Sequence, residues 1–384
     1  MAGNQTFAIA SYCSSRAWGG LEMNVLRFTR WMRERGWEAF LYARADSELF
    51  WRGKEADMPV RSMACDSKIS SLWHAHRLAR LTRVDAVRFL VFHQSRDLLI
   101  SVLAKLCLAR KLGLVYCQHM QLGGDKKDLL HNWQYRHIDA LISPAPWLAA
   151  GVRRHTVLKD SAIHMVPHGI EVDRFVIKTA KHEARKRLGL PQDAAIVGLV
   201  GRLDPKKGQH IAVKALRHVH DSGHRAHLLV VGAETLHEQT GYAEYLGSLV
   251  KDLDLSEFVH FRPHLEQPEA AYSAIDVFAL TSECESYGMV TVEAMCSGLP
   301  VIGSNDGGTV DLIDHERTGL LFRPNDHVDL ASSIARYLHD PEFARQMALV
   351  GQREAIERFS HARQMDAWEK LLIDLTRDTH RGFT

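Results

Sequence analysis

Short apolar runs alternate with longer amphipathic stretches along this 384-residue chain. Phe7–Ala10, Ala39–Tyr42, Ala86–Phe92, Leu112–Cys117 and Ala140–Ser143 read as strands, and Glu22–Arg35 and Leu98–Arg110 between them carry helical patterns. The alternation restarts at Ala195–Val200. It continues through His227–Val231, Phe258–Arg262, Val277–Leu280, Pro300–Gly303 and Gly319–Phe322. Strands alternating with helices predict an α/β protein with parallel, doubly wound sheets, and two such series predict two Rossmann-like domains. The break is expected at 170–190, in the polar stretch Lys178-Thr-Ala-Lys-His-Glu-Ala-Arg-Lys-Arg187, which gives domains over 1–175 and 185–360. A final helical pattern, Phe359–Leu375, lies at the head of a tail over 361–384 and is expected to return to the first domain. No internal repeat or low-complexity segment is visible.

Composition adds boundaries. A chain 46% hydrophobic and 24% charged is that of an ordinary globular protein. Cys13, Cys65, Cys107, Cys117, Cys284 and Cys296 form no CxxC pair, so neither a zinc ribbon nor a disulfide framework is expected, and reduced thiols in a cytosol fit best. The opening Met-Ala-Gly-Asn-Gln-Thr-Phe-Ala-Ile-Ala lacks a basic region and a long apolar core, and reads as a first strand rather than a signal peptide. No apolar run of membrane-spanning length is present. The expected location is the cytoplasm.

The net charge of +2 hides an asymmetry. Residues 1–180 hold 26 Lys+Arg against 16 Asp+Glu, and the remainder hold 22 against 30. A basic first half suggests an anionic partner there. Arg77, Arg80 and Arg83 recur at helical spacing in the basic stretch Leu72–Phe89. That stretch reads as a solvated surface helix, or more sharply as a helix resting on anionic lipid at the inner face of the cytoplasmic membrane. Nucleic acid fits the charge, but no nucleic-acid motif accompanies it.

The strongest chemical signal is Glu285-Ser-Tyr-Gly-Met-Val-Thr-Val-Glu293, followed by Ala-Met-Cys-Ser-Gly-Leu-Pro-Val. A strand at Val277–Leu280, a glycine turn and then a helix put free backbone N–H groups and a positive dipole end at the carboxyl edge of a sheet, which attracts phosphate. The two carboxylates could take hydroxyls on either side of a diphosphate. A second signal is Gly201-Arg-Leu-Asp-Pro-Lys-Lys207-Gly208, directly after the strand ending at Val200. Arg202 and Lys207 there could stabilise a leaving nucleoside diphosphate without a metal.

Weaker signals complete the set. Gly19-Gly20-Leu-Glu22 opens a helix after the first strand, where glycine admits a close backbone approach to a diphosphate, although a plain tight turn is the first reading of the same residues. It is not GxGxxG, which argues against a dinucleotide redox enzyme. His119 ends the strand Leu112–Cys117 and stands above the other 22 histidines for that position. The pairs His74/His76, His164/His168 and His218/His220 lack a third ligand nearby and read as non-metal. Asp252-Leu-Asp254 resembles an acidic metal triplet, but the apolar positions Leu246, Leu249, Val250 and Leu253 place it on a solvated helix.

Together these residues resemble the retaining GT-B glycosyltransferases of family 4, the group 1 glycosyl transferases. Gly19-Gly20-Leu-Glu22, His119, Arg202 with Lys207-Gly208, and the Glu285-to-Val301 stretch match that family's pattern. Pro167-His-Gly-Ile-Glu-Val-Asp-Arg-Phe175 is similar to its Pro-Asn-Gly-Val-Asp…Phe junction. The resemblance implies two Rossmann-like domains with a cleft between them. It places Gly19 and Gly20 at the donor diphosphate, and His119 near the transferred sugar. Arg202 and Lys207 would hold phosphates and Glu285 the sugar hydroxyls. Tyr287, Gly288, Met289 and Val290 would line the phosphate, and Glu293 would bind the ribose. The implied reaction is hexosyl transfer from a nucleotide sugar, with retention and no metal or cofactor, to a lipid-linked, lipopolysaccharide or polysaccharide acceptor on the first domain. Three positions depart from the pattern. His168 stands where the family has Asn, Asp311 where it has Glu, and Phe261-Arg-Pro-His where it has Phe-x-Gly. A sugar-nucleotide epimerase of the same fold and a non-catalytic sugar-nucleotide or membrane-binding module are the alternatives. The epimerase needs no acceptor surface, and the non-catalytic module would be expected to have lost one of His119, Arg202, Lys207, Glu285 or Glu293.

Overall fold

Strands that are apolar at every position need cover on both faces, and two all-parallel sheets supply it here. The computed structural model describes residues 7–63, 71–108, 111–176, 179–234 and 241–381, with side chains as far as 377. The chain divides into two units, Met1–His168 with Ala362–Thr384 and Gly169–His361.

The first unit carries β1 (Ala8–Cys13), β2 (Glu38–Ala43), β3 (Val60–Ser62), β4 (Phe89–Phe92), β5 (Gly113–Cys117), β6 (Ala140–Ser143) and β7 (Ile163–Met165). Their order is β3-β2-β1-β4-β5-β6-β7, all parallel. Alternate side chains divide between the two faces. Ala10, Tyr12, Leu90, Phe92, Leu114 and Tyr116 enter one core. Ile9, Val91, Val115 and Cys117 enter the other with Phe28, Trp31, Met365, Trp368 and Leu372.

Three of those residues belong to the helix His361–Arg381, so the carboxyl-terminal helix packs within the first unit, as the sequence suggested. Trp368 is fully buried, its ring 4.5 Å from that of Phe28. The Arg35 guanidinium donates to Asp366 and Glu369, each at 2.6 Å, and the Trp37 indole donates to Glu369 at 2.8 Å. The helix begins two residues after the expected Phe359. Phe359 and Ser360 instead leave the helix Pro341–Arg358, and Ser360 bridges Ile170 within the second unit.

The second unit carries β8 (Ala195–Val200), β9 (Ala226–Val231), β10 (Val259–Arg262), β11 (Val277–Leu280), β12 (Val301–Ser304) and β13 (Leu320–Phe322). The order is β10-β9-β8-β11-β12-β13, again parallel throughout. Its core joins Val197, Leu199, Leu228, Val230 and Ile302 to the apolar faces of the helices Gln209–Asp221 and His327–His339.

Sequence and structure differ in a few elements. β3 and β7 are three residues each and carry Arg61 and His164, so neither makes an apolar run. The expected helix Leu98–Arg110 ends at Leu106, and 109–110 lie outside the described residues, as does Cys65. Asp254 is not helical: it follows the helix Tyr242–Asp252 in a left-handed turn at φ +53°. The helix Ser71–Val84 forms, but its three arginines do not present one solvated row, because Arg77 donates to the Ser62 carbonyl at 2.9 Å and covers the Trp73 ring. Arg80 and Arg83 remain exposed. Among the described residues, no helix is long and apolar enough to cross a membrane.

Candidate functional site

Strand order reverses between β8 and β11 in the second unit, and loops leaving such a switch point splay apart to leave a crevice for ligand. The loop after β8 holds Arg202 and Lys207, and the loop after β11 holds Glu285. Gly208 lets them touch. It sits at φ +69°, and a Cβ there would lie 2.2 Å from the Thr281 carbonyl oxygen. The Thr281 hydroxyl donates to the Lys207 carbonyl at 2.8 Å, and the Glu283 amide to the Lys206 carbonyl at 2.9 Å. So held, the Lys207 ammonium donates to Glu285 Oε2 at 2.6 Å, and the Ser282 hydroxyl donates to the same oxygen at 2.9 Å. Arg202 shares the loop but is half exposed and reaches Asp204 at 3.2 Å.

A glycine pair supports Glu285 from behind. Gly307, at φ +58°, would bring a Cβ within 2.5 Å of the Glu285 carbonyl oxygen, and one on Gly308 would lie 2.4 Å from that of Ser286. The Gly308 amide donates to the Glu285 carbonyl at 2.7 Å. Gly288, at φ +85°, then opens the helix Met289–Cys296. The Met289 and Val290 amides lie in its first turn, where unpaired N–H groups and the dipole favour an anion.

Two expected site residues sit deeper than the sequence implied. Tyr287 is 4% exposed, its ring edge-on to Phe359, so it fills core instead of lining the crevice. Glu293 is buried and accepts from the Tyr272 hydroxyl at 2.8 Å. Burial, with the Glu293 carboxylate beside it, holds the Tyr272 phenol far above its ordinary pKa.

In the first unit the reversal falls between β1 and β4. Gly19 caps the helix Gly20–Glu34 in extended conformation, and its carbonyl accepts from the Met23 amide. A Cβ on the exposed Gly20 would meet nothing within 4 Å, so the surrounding protein does not itself demand glycine there. The loop after β1 is tied down by Asp97, which accepts from the Ser14 amide at 3.1 Å and its hydroxyl at 2.5 Å. Burial raises the Asp97 carboxyl to about 6.

His119 lies in this unit, 9% exposed, within a group of imidazoles. Its Nε2 is 2.9 Å from His93 Nδ1, and its ring stacks on that of His168 with centroids 4.8 Å apart. Burial lowers all three pKa values, His93 to about 3 and His168 to about 4, so the group is neutral at neutral pH. His93, Cys117 and His119 are the one potential metal-binding trio among the described residues, their ligand atoms within 4.8 Å of one another. The 2.9 Å between the two imidazoles is shorter than the about 3.3 Å between nitrogen ligands on tetrahedral zinc, and suits a hydrogen bond better. Burial also pushes the Cys117 thiol upward, against the thiolate a metal requires.

The family models divide the chain between residues 174 and 180, a few residues beyond the His168–Gly169 boundary of the two units. Residues 18–174 match the Glycosyltransferase Family 4 model, and residues 180–353 match Glycosyl transferases group 1. The chain belongs to the family 4, group 1 glycosyltransferases. A D-inositol 3-phosphate glycosyltransferase of Corynebacterium jeikeium is 32% identical over 227 residues, 58% of this chain and 54% of that one. The chain therefore spans about half the length of the curated relatives it matches. A glycosyltransferase structure from Rickettsia africae superposes with a TM-score of 0.88 at 16% identity, covering 97% of this chain and 99% of that one. Anabaena Alr3699/HepE, solved in complex with UDP and glucose, gives 0.79 at 22% identity, covering 97% and 100%. The fold of this family 4 chain is GT-B.

The structure gathers Lys207, Glu285 and Gly288 in the second unit, with Arg202 on the Lys207 loop, and places Gly19, Gly20 and His119 in the first. Sequence reasoning did not find Ser282, Thr281, Tyr272, His93 or Asp97. His168 stood out as a departure from a family motif, without a role at the site, and the Gly307-Gly308 pair was given no part in it. His93 directly follows β4 and extends the register that pairs Phe92 with Tyr116, a pairing that only the folded sheet displays.

Proposed function

We propose that this chain is a retaining hexosyltransferase. It moves a sugar from a nucleotide diphosphate sugar to a lipid-linked, lipopolysaccharide or polysaccharide acceptor, without a metal ion. The observation that carries the reading is the contact of Lys207 with Glu285 at a switch point beside a helix amino end. A cation and a hydroxyl-accepting carboxylate held together there match the two halves of a sugar diphosphate. A bound donor would part them, with Lys207 turning to a phosphate and Glu285 to sugar hydroxyls. The separated charges are then compensated by ligand rather than by each other.

As the sugar–phosphate bond breaks, charge grows on the diphosphate. Lys207, Arg202 and the Met289 and Val290 amides would stabilise it without reorganising at the moment of reaction. The open surface at Gly20 is compatible with a diphosphate lying against the backbone. The Anabaena neighbour was solved with UDP and glucose, and the curated relatives are named as glycosyltransferases. Both lend support to a nucleotide sugar as donor.

Purified protein would be incubated with UDP-, GDP- and ADP-hexoses in EDTA, with lipid-linked and polysaccharide acceptors. The expected result is release of one nucleoside diphosphate and a product whose anomeric configuration, read by proton NMR, equals that of the donor. Inverted product, or turnover abolished by EDTA and restored by a divalent cation, would contradict the reading.

A further inference from the structure

Three buried imidazoles meet at the carboxyl edge of the first sheet, and the chain gives each a different relation to the central ring. His119 follows β5 by two residues, so it shares a sheet face with Cys117. Parallel pairing of Phe92 with Tyr116 puts His93 opposite Cys117 on that face. His93 thus meets His119 edge-on through Nδ1, at 2.9 Å, while His168 covers its face with the ring planes 16° apart. Asn24, Phe28, Trp31 and Gln364 close around the group, leaving about 10 Å³, room for no more than one water-sized group.

A hydrogen bond between two neutral imidazoles has one proton to place, so one ring donates and the other accepts. Either His93 Nδ1–H donates and His119 keeps its proton on Nδ1, or His119 Nε2–H donates and its Nδ1 is a bare acceptor. In both cases His119 Nε2 is committed to His93. His119 Nδ1 is buried and has no hydrogen-bond partner among the described residues. It is the only ring nitrogen this residue can offer a ligand. Protonation cannot blur the choice, because burial and both neighbouring imidazoles disfavour a charge on His119.

We infer that His93 is a positioning residue for transfer: it fixes the tautomer and ring orientation of His119, with His168 as the stacking platform, so that His119 serves as a neutral hydrogen-bonding group through Nδ1. The inference rests on the placement of His119 near the transferred sugar. His168 is integral to it, since the family's usual Asn would leave that face of His119 without an aromatic partner. The role differs from general acid catalysis, which needs a ring that gains and loses a proton near working pH.

The test pairs kinetics with side-chain nitrogen NMR on the full chain, comparing wild type with His93→Leu, His93→Asn, His119→Gln and His119→Ala. His93→Leu keeps the volume and removes the hydrogen bond, whereas Asn returns an amide near the Nδ1 position. His119→Gln assigns the resonances. In wild type, the His119 ring should show one protonated and one bare nitrogen, unchanged from pH 8 to pH 5. In His93→Leu those resonances should move toward the average of two exchanging tautomers. Turnover should fall about 10- to 100-fold in that variant with the donor KM within about twofold, and His93→Asn should recover to within about threefold of wild type.

If His93→Leu leaves the His119 resonances or turnover unchanged while His119→Ala is inactive, the positioning role is overturned. If His93→Asn is no better than Leu, the role is only packing. Full activity in His119→Ala would instead overturn the placement of His119 in the transfer site, a separate failure.

Discussion

Glu285 is fixed from both its backbone and its side chain, and each attachment can be cut separately. Replacing Lys207 with Ala takes from Glu285 its cationic partner, leaving the Ser282 hydroxyl bond, and also removes the cation proposed for the diphosphate. Turnover should fall by at least about a hundredfold, the size of losing one charge-stabilising group, with the circular dichroism spectrum unchanged. A Lys207→Ala enzyme keeping a tenth of wild-type turnover would retire that role. Gly307→Ala tests the backbone attachment. A Cβ 2.5 Å from the Glu285 carbonyl at positive φ should cost about 1–3 kcal/mol in urea unfolding and depress turnover. Lys207 and Glu285 were legible in the sequence because charged residues between a strand and a glycine have few structural uses. The burial of the Tyr287 ring against Phe359 was not legible, because no local pattern shows which way a motif side chain turns. His93 was missed because its meaning depends on a strand pairing that no local pattern displays.

At the scale of elements, the long strands were legible as apolar runs, and the short β3 and β7 were not. The helix His361–Arg381 was legible as a helix, and its start was set instead by the Ile170–Ser360 bridge. Trp368→Ala should destabilise the first unit by about 3–5 kcal/mol, because the ring is fully buried against Phe28 and cannot be replaced by water. The imidazole group makes a pH prediction. The three folded-state pKa values lie below the ordinary 6.5, so the unfolded chain binds protons that the folded chain refuses. Stability should therefore fall as pH drops from about 6.5 toward 4, with a limiting slope of about 1.4 kcal/mol per pH unit for each histidine. Asp97 opposes this, because its raised pKa stabilises the fold as pH falls from about 6 to 3.8. His168→Asn removes one of the three, so its urea midpoint should depend less steeply on pH than that of wild type between pH 6.5 and 5. Equal slopes would show that His168 does not titrate as its burial implies.

At the scale of the whole molecule, two doubly wound units each present a switch point, and the charge of the chain is divided between its halves. The two series of strands showed the duplication plainly. The return of the last helix to the first unit needed the contacts of Met365, Trp368 and Leu372 to establish it. The basic excess of the first half remains on the surface at Arg80 and Arg83, whereas Arg77 is engaged with Ser62. If the proposed acceptor is lipid-linked, Arg80→Ser with Arg83→Ser should weaken sedimentation with anionic vesicles about threefold to tenfold and leave neutral vesicles unaffected. Equal sedimentation of both proteins would remove lipid contact from this helix.

The central claim is that the second unit binds a nucleoside diphosphate sugar through Lys207 and its neighbours without a metal. The most direct measurement is thermal unfolding of wild type and Lys207→Ala, titrated in EDTA with UDP-, GDP- and ADP-hexoses. One nucleotide sugar should raise the wild-type midpoint in a saturable way, and the rise should be lost or strongly reduced in Lys207→Ala. A wild-type protein stabilised by none of the three, or a Lys207→Ala protein stabilised as much as wild type, would contradict it.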